Sequence, residues 1–138
     1  MNRDDLRDLA NQRLEDVRVL LEQERFSAAY YLSGYVIECA LKACIAKRTR
    51  QFDFPPEPGV INKVYVHDLG VLVRSAGLEP ALLADLEKDR ELKKNWTLAK
   101  DWSEKSRYQM WTKPKAYSLF EAISTREHGV LQWISRHW

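Results

Sequence analysis

The segment AAYYLSGYVIECALKACIAK, Ala28 to Lys47, limits what this chain can fold into more than any other stretch. Taken from Phe26 to Arg48 as one helix, it is apolar nearly all round, so other elements must cover it on several sides. Its two internal charges, Glu38 and Lys42, lie four residues apart with the acid toward the N-terminus, the favourable orientation for an i,i+4 pair. Two uses of that pair follow from its setting. It is either the wet stripe of a central helix, contributing about 0.3–0.5 kcal/mol, or Glu38 lies in a groove or interface and pairs with a basic residue such as Arg107. A buried carboxylate needs such a partner to stay ionised. Gly34 costs about 1 kcal/mol against alanine at mid-helix, which predicts close approach of another backbone.

The other segments supply the cover. From Asp4 to Glu24, Leu6, Ala10, Leu14, Val17 and Leu21 recur every three or four residues, an amphipathic helix. Thr49 to Val66 carries three of the five prolines and is expected to be a long connection. HDLGVLVRSAG predicts a short helix with Asp68 as N-cap, Gly77 as stop and His67 as its entry residue. LEPALLADLEKDRELKKNW predicts one helix begun near Pro80, and a last helix runs from Pro114 to Trp138. Five glycines in 138 residues favour long helices, and no useful length alternates with period two. The expected fold is therefore all-α: a single domain over residues 1–138, built as an up-and-down four-helix bundle with an additional short helix.

Net charge is +2, so any affinity for a polyanion must come from a local patch. Cys39 and Cys44 lie in the apolar helix on different faces. They are expected to be inert buried thiols of a reducing compartment. No signal-peptide h-region opens the chain, and the longest uncharged run, Phe26 to Ile37, is too short to span a bilayer. A cytoplasmic protein without membrane contact is the expectation.

The local patch lies between Lys93 and Lys115, where seven basic and two acidic residues give +5. Trp96, Trp102, Tyr108 and Trp111 are interleaved with those charges, the combination that grips single-stranded nucleic acid by phosphate contact and base stacking. Glu38, Lys42, Arg107, Tyr108, Trp111, Lys113 and Lys115 are the candidate binding residues. For catalysis the nearest approach to a base and a cation is Arg126 with His128 and Arg136 with His137. The histidines show no metal-ligand spacing, and no glycine-rich phosphate loop is present, so neither metal nor cofactor is expected.

A charged amphipathic first helix, then RFSAAYYLSGYVIECALKACI, then HDL opening a short helix and SRY before a closing one: this order resembles the HEPN domains, from about Leu6 to Trp138. The resemblance implies a helical bundle that forms a homodimer, often encoded beside a minimal nucleotidyltransferase partner and often an RNA-cleaving toxin. Nuclease members carry arginine followed, after four to six residues, by histidine. None of His67, His128 and His137 has arginine at that spacing. The expected function is thus a non-catalytic RNA-, nucleotide- or partner-binding component of a toxin–antitoxin-like module, with an RNase toxin using an atypical arginine and histidine pair as the alternative.

Overall fold

The computed structural model describes residues 1–49 and 65–138, and among them every regular element is helical. The expected connection between Thr49 and Val66 lies, from 50 to 64, outside the described residues. Helix α1 spans Arg3–Glu22 and α2 spans Phe26–Arg48. Asn2 and Asp5 form a reciprocal capping box at the start of α1, each side chain accepting the other's backbone N–H at 2.9 and 3.0 Å. At its end Glu24 takes a left-handed backbone, φ 58°, and Arg25 N–H reaches back to the Leu20 carbonyl at 2.8 Å. That turn folds α1 against α2.

Helix α2 is the centre, packed against α1 and touched by most later elements. Val36, Ile37, Ala40 and Leu41 are fully covered, meeting Val17, Leu69, Leu72, Ile123 and Ile134 in one core. The short helix α3 (Leu69–Ser75) has the expected Asp68 cap on Val71 N–H at 2.9 Å and the expected stop at Gly77, whose φ of 69° suits glycine.

Two long helices expected from the sequence are each broken in two. Residues 79–100 form α4 (Glu79–Lys88) and α5 (Arg90–Lys100), because Asp89 leaves helical geometry and caps Leu92 N–H at 3.0 Å. An aspartate side chain competes with the helix for its own backbone donors. The closing segment forms α6 (Lys113–Ser124) and α7 (Val130–Ser135), separated by a corner in which Glu127 has φ 65°. Between α5 and α6 a 3₁₀ turn, Glu104–Tyr108, packs on α2.

Gly34 also differs from expectation. The group against it is the indole of Trp102, not a backbone: a Cβ there would lie 1.9 Å from the ring. Trp102 Nε1 then donates to the Tyr31 carbonyl of α2 at 3.1 Å. The glycine lets the α5 end and the 3₁₀ turn dock flat on the central helix.

Candidate functional site

Glu38 is 5% exposed on α2, and both its oxygens are occupied. Lys42 Nζ donates to Oε1 at 2.7 Å, and His67 Nδ1 lies 2.9 Å from Oε2. Lys42 is the i,i+4 partner expected from the sequence, whereas Arg107, the alternative partner, is exposed and sits 4.8 Å over the ring of Tyr108. The entry of α3 brings His67 to Glu38 because Asp68 caps the helix and Leu69 is buried. The Tyr35 edge backs the imidazole with centroids 5.9 Å apart, and Tyr35 in turn meets Trp102 at 5.1 Å and the Tyr31 hydroxyl at 3.1 Å. Burial, with that hydrogen bond next, pushes the Tyr35 phenol well up from its ordinary value.

The outer side of His67 borders a cleft of about 500 Å³. Tyr65, Val66, Asp68 and Leu69 form one wall, and Lys100, Trp102, Ser103, Glu104 and Lys105 the other. Arg107 and the 78% exposed Tyr108 continue from Lys105 on the same 3₁₀ turn. A carboxylate-held histidine and two lysines thus line one recess, with Arg107 and the exposed Tyr108 on the turn that leads away from it. The arrangement suits an anion with an attached planar group.

The remaining aromatics of the basic segment are used in packing. Trp96 and Trp102 are buried, and Trp111 stacks on Tyr30 at 3.6 Å while its Nε1 donates to the Ser106 carbonyl at 3.0 Å. Trp111 is therefore a strut for the SRY turn, half-buried and with one ring face covered by Tyr30. Lys113 lies 5.9 Å over Tyr117, and Lys115 is exposed at the start of α6.

The four arginine and histidine candidates do not converge. Arg126 and His128 border different clefts, the first shared with Asn11 and Trp138, the second with Glu91 and Ser118. His128 Nδ1 lies 2.7 Å from Asp89 Oδ2; that hydrogen bond raises the imidazole pKa and lowers that of the carboxyl. His137 packs on Trp133 at 4.6 Å, and Arg136 is exposed at the C-cap of α7. Burial pushes the Cys44 thiol up to about 11 and that of Cys39 in the same direction, as inert thiols should behave. Among the described residues no group of three or more histidine, cysteine or acidic side chains is placed to hold a metal, and no helix is long and apolar enough to cross a membrane.

Sequence reasoning missed His67 as a site residue. It stands 29 positions from Glu38, so no local spacing reveals the pair. The only signal was indirect: a buried carboxylate required a partner.

The HEPN domain family model matches residues 4–133, nearly the whole chain. The chain belongs to the HEPN domain family. No curated protein and no solved structure matches it. HEPN domains are RNA-binding or RNase-associated, and in this HEPN chain the convergence of polar groups lies at the α2–α3–3₁₀ junction.

Proposed function

We propose that this HEPN protein is a non-catalytic RNA-binding component that works as a homodimer, in a toxin–antitoxin type module beside a minimal nucleotidyltransferase. One observation carries the reading: Lys100, Lys105, Arg107 and exposed Tyr108 line or adjoin the His67 cleft, giving phosphate contacts and a stacking face on one surface. The dispersal of Arg126, His128, Arg136 and His137 supports a binding role over cleavage. Along α2, Tyr31, Leu32, Tyr35 and Cys39 remain only half-buried, a stripe that a second copy would finish covering. In the same reading α1, α2, the α4–α5 arm and the α6–α7 arm are the members of an up-and-down four-helix bundle, and α3 is the additional short helix.

Fluorescence anisotropy with labelled single-stranded RNA tests the binding. Affinity should fall with salt. Arg107→Ala should reduce the salt slope by about one phosphate contact, and Tyr108→Ala should weaken binding at least about fivefold. Binding that ignores both substitutions, or no binding at low salt, overturns the reading and leaves a protein partner as the occupant of this surface. Sedimentation at micromolar concentration tests the dimer, and a lone 16.2 kDa species would refute it.

A further inference from the structure

A second cleft, of about 250 Å³, opens between α1, α7 and the α6–α7 corner, elements that do not line the His67 recess. Its apolar lining is Leu14, Leu131 and Trp138, of which Leu131 is buried and the other two half-buried. Arg126 lines it from the corner and forms no ion pair among the described residues. No carboxylate side chain is among the lining residues. The nearest in sequence, Glu127, is directed at His128 Nε2, 3.9 Å away. Arg7 lies 5.4 Å over the Trp138 ring and is itself paired with Asp4 at 3.5 Å.

The hydrogen-bond donors left over in this cleft are specific. The hydroxyls of its serines and threonine each donate to a backbone carbonyl three or four residues earlier. Gln132 gives its Oε1 to the Glu127 N–H, so its amide N–H groups stay unpaired among the described residues, as does the amide of Asn11. The corner that carries Arg126 is also fixed. Glu127 has φ 65°, and the His128 N–H donates to the Arg126 carbonyl at 2.7 Å. Gly129 closes the turn where a Cβ would lie 2.1 Å from the Thr125 carbonyl oxygen. A guanidinium on so constrained a backbone meets a ligand with little main-chain ordering left to do.

We infer that this cleft binds a small carboxylate carrying an apolar ring, with its head on Arg126 beside the Asn11 and Gln132 amides and its ring against Leu14, Leu131 and Trp138. One unpaired guanidinium compensates one negative charge and offers a planar carboxylate two parallel N–H groups. A phosphate monoester would bring nearly two charges, and the second cation at hand, Arg7, is already shared with Asp4. The volume falls below the roughly 300–1,000 Å³ of drug-sized ligand sites, which limits the occupant to about one ring and its head group. The site shares no lining residue with the His67 recess, so it stands or falls apart from the RNA-binding reading.

Titration of the ¹⁵N-labelled protein with phenylacetate, followed by nuclear magnetic resonance, tests this. Acetate, phenylacetamide and phenyl phosphate are the comparisons. The Trp138 indole N–H should shift saturably with a dissociation constant on the order of 1 mM, and acetate and phenylacetamide should each bind at least about tenfold more weakly. Arg126→Gln should lower affinity for phenylacetate about tenfold, to that of phenylacetamide, with Tm unchanged because the side chain is exposed and unpaired. Arg136→Gln, an exposed arginine outside the cleft, should bind as the natural protein does.

No saturable shift below about 10 mM, or shifts confined to other parts of the molecule, would overturn the inference. Equal affinity for acetate would remove the ring from it, and equal affinity for phenylacetamide or tighter binding of phenyl phosphate would remove the carboxylate; each refutes it. An Arg126→Gln variant that binds normally, or an equal loss in Arg136→Gln, would refute it as well, the latter by showing general charge attraction in place of a site.

Discussion

Among the described residues two histidines are hydrogen-bonded to carboxylates, with nearly equal geometry and unlike surroundings. Glu38 and His67 meet at 2.9 Å over the central helix, and Asp89 and His128 at 2.7 Å over the break between α4 and α5. The first carboxylate is closed in by protein, 6% exposed, and shared with Lys42; the second is 28% exposed and shared with a backbone N–H. The same chemical pair is therefore a fixed point of the core in one place and a pH-sensitive tie between helices in the other. Water decides the difference: a buried ion that loses its partners cannot recover them from solvent, and an exposed one can.

The largest expected effect is on the platform that supports the buried pair. Gly34→Ala puts a methyl group inside the Trp102 indole, which is held by its bond to the Tyr31 carbonyl, and should cost at least about 3 kcal/mol in denaturant unfolding. An unchanged midpoint would mean that Trp102 does not dock on α2 as described. Next, Glu38→Ala leaves Lys42 and His67 without their shared acceptor. It should cost about 2–3 kcal/mol, less than a fully buried pair because His67 is 41% exposed on its side chain. Glu38→Gln should recover part of the loss, since the amide oxygen still accepts from one donor.

The buried region also supplies its own contrast. Ser106, 3% exposed, has a buried hydroxyl without a hydrogen-bond partner among the described residues, so Ser106→Ala should leave stability unchanged or raise it by about 1 kcal/mol. A clear loss would show that the hydroxyl has a partner, and would remove the distinction between a satisfied and an unsatisfied polar group in the SRY turn.

The smallest effect is the one that defines the exposed pair. His128 has its pKa raised above the ordinary 6.5, so its contribution is complete below about 6.5 and is lost as the pH rises through the higher folded value. Asp89 has its pKa lowered from 3.8, so its contribution is present above about 3.8 and is lost as the pH falls through the lower folded value. The tie is thus strongest between about pH 4 and 6.5. The difference in Tm between the natural protein and His128→Gln should be greatest there and should shrink toward alkaline pH. A difference that grows with pH would reverse the assignment.

Much of the fold was legible because it rests on local rules. The stripe of α1, the all-round apolar character of α2, the Asp68 cap and the Gly77 stop each depend on residues within one or two turns. The two missed breaks share a cause. At Asp89 the side chain can cap or continue a helix equally well, and at Thr125–Gly129 no proline marks the corner. In both places tertiary ties, Asp89 to His128 and the Asp85 carboxylate to Trp133 Nε1 at 2.8 Å, favour the broken form. Of the residues at or beside the recess, Glu38, Lys42, Arg107 and Tyr108 stood out in the sequence by charge and aromatic patterning. The packing of Trp111 on Tyr30 was not legible, because an aromatic among lysines has the same sequence signature whether it faces solvent or stacks on a neighbour.

The sequence by itself determined an all-helical chain of the HEPN family organised around α2, and required that Glu38 find a cationic or hydrogen-bonding partner. Periodicity, caps and the cost of burying a charge are properties that a few neighbouring residues settle. Only the tertiary structure decided that Glu38's second partner, beside Lys42, is His67 and not Arg107, that Gly34 receives an indole and not a backbone, and that Lys100 and Lys105 line the recess that His67 borders. Those outcomes depend on how segments 29 to 71 residues apart are brought together, and such distances carry no periodic signal along the chain.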